Sequence, residues 1–145
     1  FLTAEYSLSF LKKINKDSPA IILKKDKVIG YALAVSKKMG KHNNLLNHLI
    51  NEFDNQKFRG INLADENYIV VGQLCLDKEF RGMGYVEKIY SLFRTTYISH
   101  KYCITAVDLK NKRSIAIHKK CGFVRIGLLM LNKNPGEIIL WDLKN

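Results

Sequence analysis

One mixed sheet with helices on both faces, an α+β arrangement, is the fold class that this sequence predicts. Three observations carry the prediction. Helical and strand periodicities alternate along 145 residues in the order α-β-β-(α)-β-α-β-α-β-β. Residues 68–109 read strand, helix, strand, so strands 68–76 and 102–109 form a central parallel pair joined by a right-handed crossover. The first two and the last two strands are separated by short polar turns, which makes their pairing antiparallel.

Tyr6, Phe10, Leu11 and Ile14 fall at helical spacing among Lys12, Lys13 and Lys16, which predicts a surface helix over 5–16 that ends at Ser18-Pro19. Residues 20–23, a Lys24-Lys25-Asp26-Lys27 turn and residues 28–35 read as a hairpin. Leu45, Leu46, Leu49, Ile50 and Phe53 line one side of a helix over 43–55. A polar stretch through Arg59-Gly60 leads into the strong strand 68–76. Val86, Ile89, Tyr90, Phe93 and Tyr97 give the next helix an apolar stripe, and 102–109 is a second buried strand. A short helix over 112–120 is closed by Gly122, placed to take the left-handed conformation past a helix end. Two strands, 123–131 and 137–143, follow around an Asn134-Pro135-Gly136 turn.

Length and composition bound the function. At 145 residues, with 47% hydrophobic and 26% charged side chains, the chain is predicted to be one globular domain, 1–145, neither disordered nor collagen-like. No apolar run approaches the ~18 residues of a membrane span, and Phe1-Leu2-Thr3 shows no leader pattern. The chain opens on Phe1 rather than Met, which points to residues ahead of it. Cys75, Cys103 and Cys121 are odd in number and lack C-x-x-C spacing, so they read as small hydrophobes in a reducing, cytoplasmic compartment. His42, His48, His100 and His118 lack metal-ligand spacing.

The net charge of +11 has two readings, an anionic partner or lysine-rich drift. Nineteen of the 24 bases are Lys, and the excess is spread over both halves of the chain, which favours drift. One local exception is Lys110, Lys112, Arg113, Lys119 and Lys120, five bases within eleven residues that hold no acid. A solvated helix face and a phosphate-attracting patch both fit it. A nucleic-acid-binding module would leave some helix-turn-helix, RNA-binding sheet or zinc-knuckle signature, and none is present.

The chemical signal is Arg81-Gly82-Met83-Gly84-Tyr85-Val86 at a strand-to-helix junction. Glycines allow close approach of backbone to ligand, a helix start offers free N–H groups with positive dipole character, and Arg81 adds a fixed charge. No Gly-Lys-Ser/Thr follows, and G-x-G-x-x-G is absent, so neither a P-loop nor a dinucleotide fingerprint is present.

The string from Gln73 through Gly84 resembles the signature of the GNAT N-acetyltransferase family, an apolar strand followed by Q/R-x-x-G-x-G/A. A second block, Asn111 through Phe123, is similar to that family's N-x-x-A-x-x-L-Y-x-x-x-G-F. The resemblance covers about residues 5–143 and starts near the family's second helix, so the family's first strand and helix are missing from the pattern. It implies a GNAT-like, mostly antiparallel sheet around the parallel pair, and acetyl-coenzyme A as cofactor. Arg81, Gly82, Met83, Gly84, Tyr85 and Val86 would then hold the coenzyme pyrophosphate, and the backbone of Leu74 and Leu76 would pair with the pantetheine arm. The Leu76 amide would also stabilise the thioester oxyanion. Asn111 would contact the pantetheine while capping the last helix.

Three positions depart from the pattern. Val86 stands where Gly or Ala is usual, crowding the helix start, and Ser114 replaces an Ala. His118 occupies the place of the Tyr that protonates the departing thiolate, which makes it the implied catalytic acid. An imidazole near ~6.5 is mostly neutral at pH 7 but keeps one N–H to offer the sulfur, and a structural role is the other reading. The general base is not assignable. Asp65 and Glu66 are the nearest acids before the central strand, and Tyr68 has the means to order a water.

The function implied is direct transfer of acetyl from acetyl-coenzyme A to a primary amine, on a small molecule or on a protein or a charged tRNA. A chain with few acids is a poor match for polycationic acceptors, and the helix over 43–55 is placed to wall the acceptor site. A homodimer is an admissible assembly. The rival reading is a coenzyme A-binding sensor domain with degenerate catalysis, motivated by Val86 and His118.

Overall fold

Buried apolar residues fall on two opposite sides of one sheet, and that division organises the protein. This computed structural model describes residues 5–145, so the Phe1-Leu2-Thr3 reading lies outside the described residues. The first helix, α1 (Leu8–Asp17), is capped by Ser7, whose hydroxyl accepts the Phe10 N–H at 3.2 Å, and it buries Phe10 and Ile14. The hairpin β1 (Ile21–Lys24) and β2 (Val28–Ser36) follows. A 3₁₀ turn over Lys37–His42 then leads to α2 (Asn44–Asp54), which buries Leu46, Leu49, Ile50 and Phe53. Two short strands, β3 (Lys57–Phe58) and β4 (Ile61–Asn62), turn on Arg59 and Gly60, both at positive φ.

The rest of the chain comprises β5 (Tyr68–Leu76), α3 (Tyr85–Thr96), β6 (Tyr102–Asp108), α4 (Lys112–Cys121), β7 (Val124–Leu131) and β8 (Asn134–Asp142). Six strands form one sheet in the order β1-β2-β5-β6-β8-β7. Every neighbouring pair is antiparallel except β5–β6, as the strand-helix-strand pattern requires. One face packs on α1 and α2 through residues such as Phe10, Leu46 and Phe53. The other packs on α3 through Ile89, Tyr90 and Phe93, with Ile115 of α4 beside them. Full burial of a side chain such as Phe53 or Phe93 contributes about 1.5–3 kcal/mol, so both layers hold the sheet.

The last hairpin corrects the sequence reading. Its turn is at Asn132-Lys133, not at Asn134-Pro135-Gly136. Asn132 takes a φ of 55°, which Asn tolerates better than most residues, and that allows a two-residue loop. Pro135 and Gly136 are strand residues opposite Met130 and Leu129. A Cβ on Gly136 would lie 2.6 Å from Leu131 Cδ1 and 3.0 Å from the Val107 carbonyl, so close packing and not a turn explains that glycine.

The feature that positions the site is in β5. Ala34 pairs with Val71 and Leu33 with Gln73, so Gly72 has no partner across β2 and forms a bulge. A Cβ there would lie 2.9 Å from Val35 Cγ2. The parallel ladder to β6 is short: Tyr68 with Tyr102, Ile69 with Cys103, Val70 with Ile104. Both strands continue, but no longer paired with each other.

Candidate active site

The two parallel strands part where the bulge begins. Thr105 Oγ1 donates to the Val71 carbonyl at 2.8 Å, a side-chain bridge at the point where the ladder has ended. On the other edge of β5, the Asp77 N–H donates to the Ile29 carbonyl of β2 at 2.7 Å. Backbone direction alternates along a strand, so the N–H groups of Leu74 and Leu76 turn away from β2 and into the split.

The split opens into a cleft of about 640 Å³, lined by Leu74, Leu76, Arg81, Gly82, Gly84, Tyr85, Val86 and Asn111. Gly82 and Gly84 both sit at φ +79°, a conformation that favours glycine at this turn. Gly84 is also the N-cap of α3 and supplies no side chain to cap it, which leaves first-turn N–H groups facing the turn. Met83 is the exposed apex between the glycines. Tyr85 is packed edge-on with Phe80, and Lys25 Nζ lies 5.3 Å from its ring centroid. Val86 packs against the α3-side core while its flank lines the cleft, so its bulk is partly drawn inward. Of the basic cluster over residues 110–120, Arg113 and Lys120 line the cleft, and Lys120 approaches Glu87 at 3.8 Å. Lys110, Lys112 and Lys119 are exposed and line neither cavity.

Asn111 caps α4: its Oδ1 accepts the Ser114 N–H at 3.1 Å, and its flank lines the cleft. One turn beyond Ser114, His118 is only 3% exposed, set among the rings of Tyr90 and Phe123. Its Nδ1 lies 2.7 Å from the Ser114 carbonyl and 3.2 Å from Ser114 Oγ, and its Nε2 lies 2.7 Å from Tyr90 Oη. A carbonyl only accepts, so Nδ1 carries the ring proton and Nε2 accepts from the Tyr90 hydroxyl. Burial pushes the His118 pKa down, which keeps the ring neutral. In that state the imidazole has no N–H left over for a departing thiolate.

Beyond Leu74, Asn111 and Ser114, which both spaces share, lies a smaller cavity of about 90 Å³ on the α1–α2 side of the sheet. Leu45 and Leu49 of α2 wall it. Leu131, Tyr6, Gln73, Thr105, Asp108 and His118 also line it. The Tyr6 hydroxyl donates to the Gly72 carbonyl at 2.7 Å, and burial raises its pKa to about 12. Gln73 Oε1 accepts from the Tyr31 hydroxyl at 2.7 Å. Asp108 is 5% exposed, and its Oδ1 accepts the Lys110 N–H at 2.8 Å.

The two acids and the tyrosine weighed from sequence lie elsewhere. Glu66 pairs with Lys101 at 3.5 Å, Tyr68 donates to Asp54 at 2.7 Å, and Asp65 closes the 3₁₀ turn over Leu63–Asp65. All three precede the split at the far end of β5, and none lines either cavity. Asp108 escaped the sequence reading, although an acid at the carboxyl end of a central strand, three residues before Asn111, was the available signal.

A sequence model of the acetyltransferase (GNAT) family matches residues 2–123. No curated protein matches the chain. Among solved structures, the fold is similar to the NatB acetyltransferase complex bound to CoA and MES, at 11% identity and a TM-score of 0.68, over 97% of this chain and 85% of that one. It is similar to the NatC complex bound to Gag peptide and CoA, at 13% identity and a TM-score of 0.67, over 97% and 82%. An N-acetyltransferase from Staphylococcus aureus Mu50 matches at 19% identity and a TM-score of 0.59, over 82% and 67%. At these identities the likeness is one of fold.

Proposed function

This chain belongs to the acetyltransferase (GNAT) family and uses acetyl-coenzyme A, and from that premise we propose that it transfers acetyl directly to a primary amine held on the α2 side of the split. The observation that carries the reading is the parting of β5 from β6 with two backbone N–H groups turned into the gap, beside the Gly82–Gly84 turn. The coenzyme, when bound, supplies the acetyl group as an activated thioester. The acceptor, having lost its ammonium proton to water, forms the C–N bond as the C–S bond breaks, and the second proton lost by the nitrogen balances the thiol released.

The chain's own residues have separable tasks. Arg81 through Val86 give phosphate oxygens a concave turn of N–H groups at the positive end of α3. Arg113 and Lys120 add charge on the opposite wall. The amides of Leu74 and Leu76 hold an extended amide-bearing arm as an added strand would be held. The Leu76 N–H is then a preorganised donor for charge that develops on a carbonyl oxygen. Asn111 contributes its flank while its Oδ1 caps α4. His118 enters as a positioning residue: its Nδ1–H fixes Ser114 at the wall between the two spaces, and Tyr90 fixes the ring.

Acetyl-coenzyme A in a thermal-shift titration tests the first half of this reading. A ligand at a hundred times its Kd stabilises by about 2.7 kcal/mol, so a clear rise in Tm is expected, and a flat response at millimolar ligand would sink it. Thiol release with a panel of amines tests the second half. One observation favours the rival sensor reading, the engagement of both His118 nitrogens. Stabilisation by acetyl-coenzyme A without thiol release on any amine would select it.

A further inference from the structure

The small cavity behind the split has a composition unlike the rest of this protein. In a chain of net charge +11, the described residues that line it include no Lys or Arg and one carboxylate, Asp108. Of the other ionisable groups on its wall, His118 is kept neutral by burial, and Tyr6 titrates near 12. The residue facing follows from strand alternation. Ala106 packs with the α1–α2 core and Val107 with the α3 core, so Asp108 belongs to the α1–α2 side, together with Leu45, Leu49 and Leu131.

We propose that the acceptor is a singly charged primary amine on an apolar carbon chain, its ammonium anchored by Asp108 and its carbons packed on Leu45, Leu49 and Leu131. This rests on the acetyl-transfer reading above. The Lys110 N–H occupies one oxygen of Asp108, and a carboxylate offers about four lone-pair sites, so the group retains capacity for an ammonium. Asp108 stands at the end of β6, close in sequence to Asn111 and Ser114 on the shared wall, which brings the amine to the side from which the thioester is approached. At about 90 Å³ the cavity is smaller than the roughly 150 Å³ space that takes up a benzene, so it holds the amine and the first few carbons of the acceptor, and the rest of a longer chain lies outside it. Among the described residues no second carboxylate lines the cavity, so a second ammonium would meet only neutral groups there, and an unpaired buried charge is costly.

The test is a comparison of acceptors, with acetyl-coenzyme A as donor and thiol release as readout. Wild-type enzyme is expected to show kcat/KM at least tenfold higher for isoamylamine and leucinamide than for spermidine. Asp108→Asn keeps an oxygen for the Lys110 N–H and removes the charge. It is expected to raise KM for isoamylamine by tenfold or more, leaving the KM for acetyl-coenzyme A and the Tm unchanged. Leu45→Ala, at a half-buried position, is expected to weaken isoamylamine while sparing ethylamine. Spermidine as the preferred acceptor would overturn the proposal, and so would an Asp108→Asn enzyme with an unaltered amine KM. If Asp108→Asn fails to fold, the wild-type panel and Leu45→Ala decide. No stabilisation by acetyl-coenzyme A and no release with any amine would instead remove the acetyl-transfer reading, and this proposal with it.

Discussion

The two spaces that meet at Leu74, Asn111 and Ser114 are chemical opposites. The larger one carries Arg81, Arg113 and Lys120 against a single acid, Glu87, and has a glycine turn and a helix start at its mouth. The smaller has one carboxylate, no Lys or Arg among its described lining residues, a buried neutral His118 and several leucines in its wall. The charges of the first suit a polyanion, and the single carboxylate of the second is where the proposed ammonium would sit. Global charge is therefore a poor guide to the acceptor: the +11 is mostly distributed over the surface, and each space sets its own polarity with three or four side chains.

The wall between the spaces is where the largest effect is expected. His118→Ala removes a buried ring with contacts on Tyr90 and Phe123 and leaves the Tyr90 hydroxyl without its acceptor. A loss of about 2–4 kcal/mol in urea unfolding should follow, with kcat within about tenfold of wild type when measured below the new Tm. A thousandfold drop in kcat with stability intact would restore the ring to the role of acid.

Charge reversal on the basic side is expected to act on one space only. Arg113→Glu with Lys120→Glu should raise the acetyl-coenzyme A KM by about tenfold or more, and added salt should shrink the difference, because exposed pairs are each worth less than about 1 kcal/mol and are screened. An equal rise in the amine KM would show that the two spaces are not separate.

A smaller effect is expected from pH. Burial lowers the folded-state pKa of His118, so below about 6.5 the unfolded chain takes up a proton that the folded chain resists. The contribution is complete above the unfolded value and is lost as pH falls beneath it, by at most about 1.4 kcal/mol per pH unit. Stability curves for wild type and His118→Gln between pH 7.5 and 5.5 should therefore converge on acidification. The smallest effect belongs to Lys119→Ala. Its side chain is exposed and outside both spaces, and neither KM should move.

Much of this was legible in the residues. The apolar run 68–76 and the i, i+3, i+4 stripe of α3 fixed the parallel pair, and the glycine turn between them marked the basic space, because those signals are local. The partners of His118 were not, since Tyr90 stands 28 residues away and only packing brings the two rings together. Pro135-Gly136 misled because proline and glycine punctuate turns in most contexts, whereas here Gly136 makes room for Leu131. Gly72 inside a strand is a recognised mark of a bulge, but nothing along the chain says that β6 will peel away there.

The bulge also has an arithmetical side. Eight consecutive residues of β5, Ile69 to Leu76, face seven partners on β2, and the surplus residue is the one without a side chain. Deleting Gly72 would equalise the count, let β5 lie flat and allow β6 to zip along its length. That would close the gap between the strands without changing a single lining side chain. On this account the existence of the pocket depends on chain length, and what it binds depends on composition, so a one-residue deletion and a set of point substitutions would silence the enzyme by independent routes.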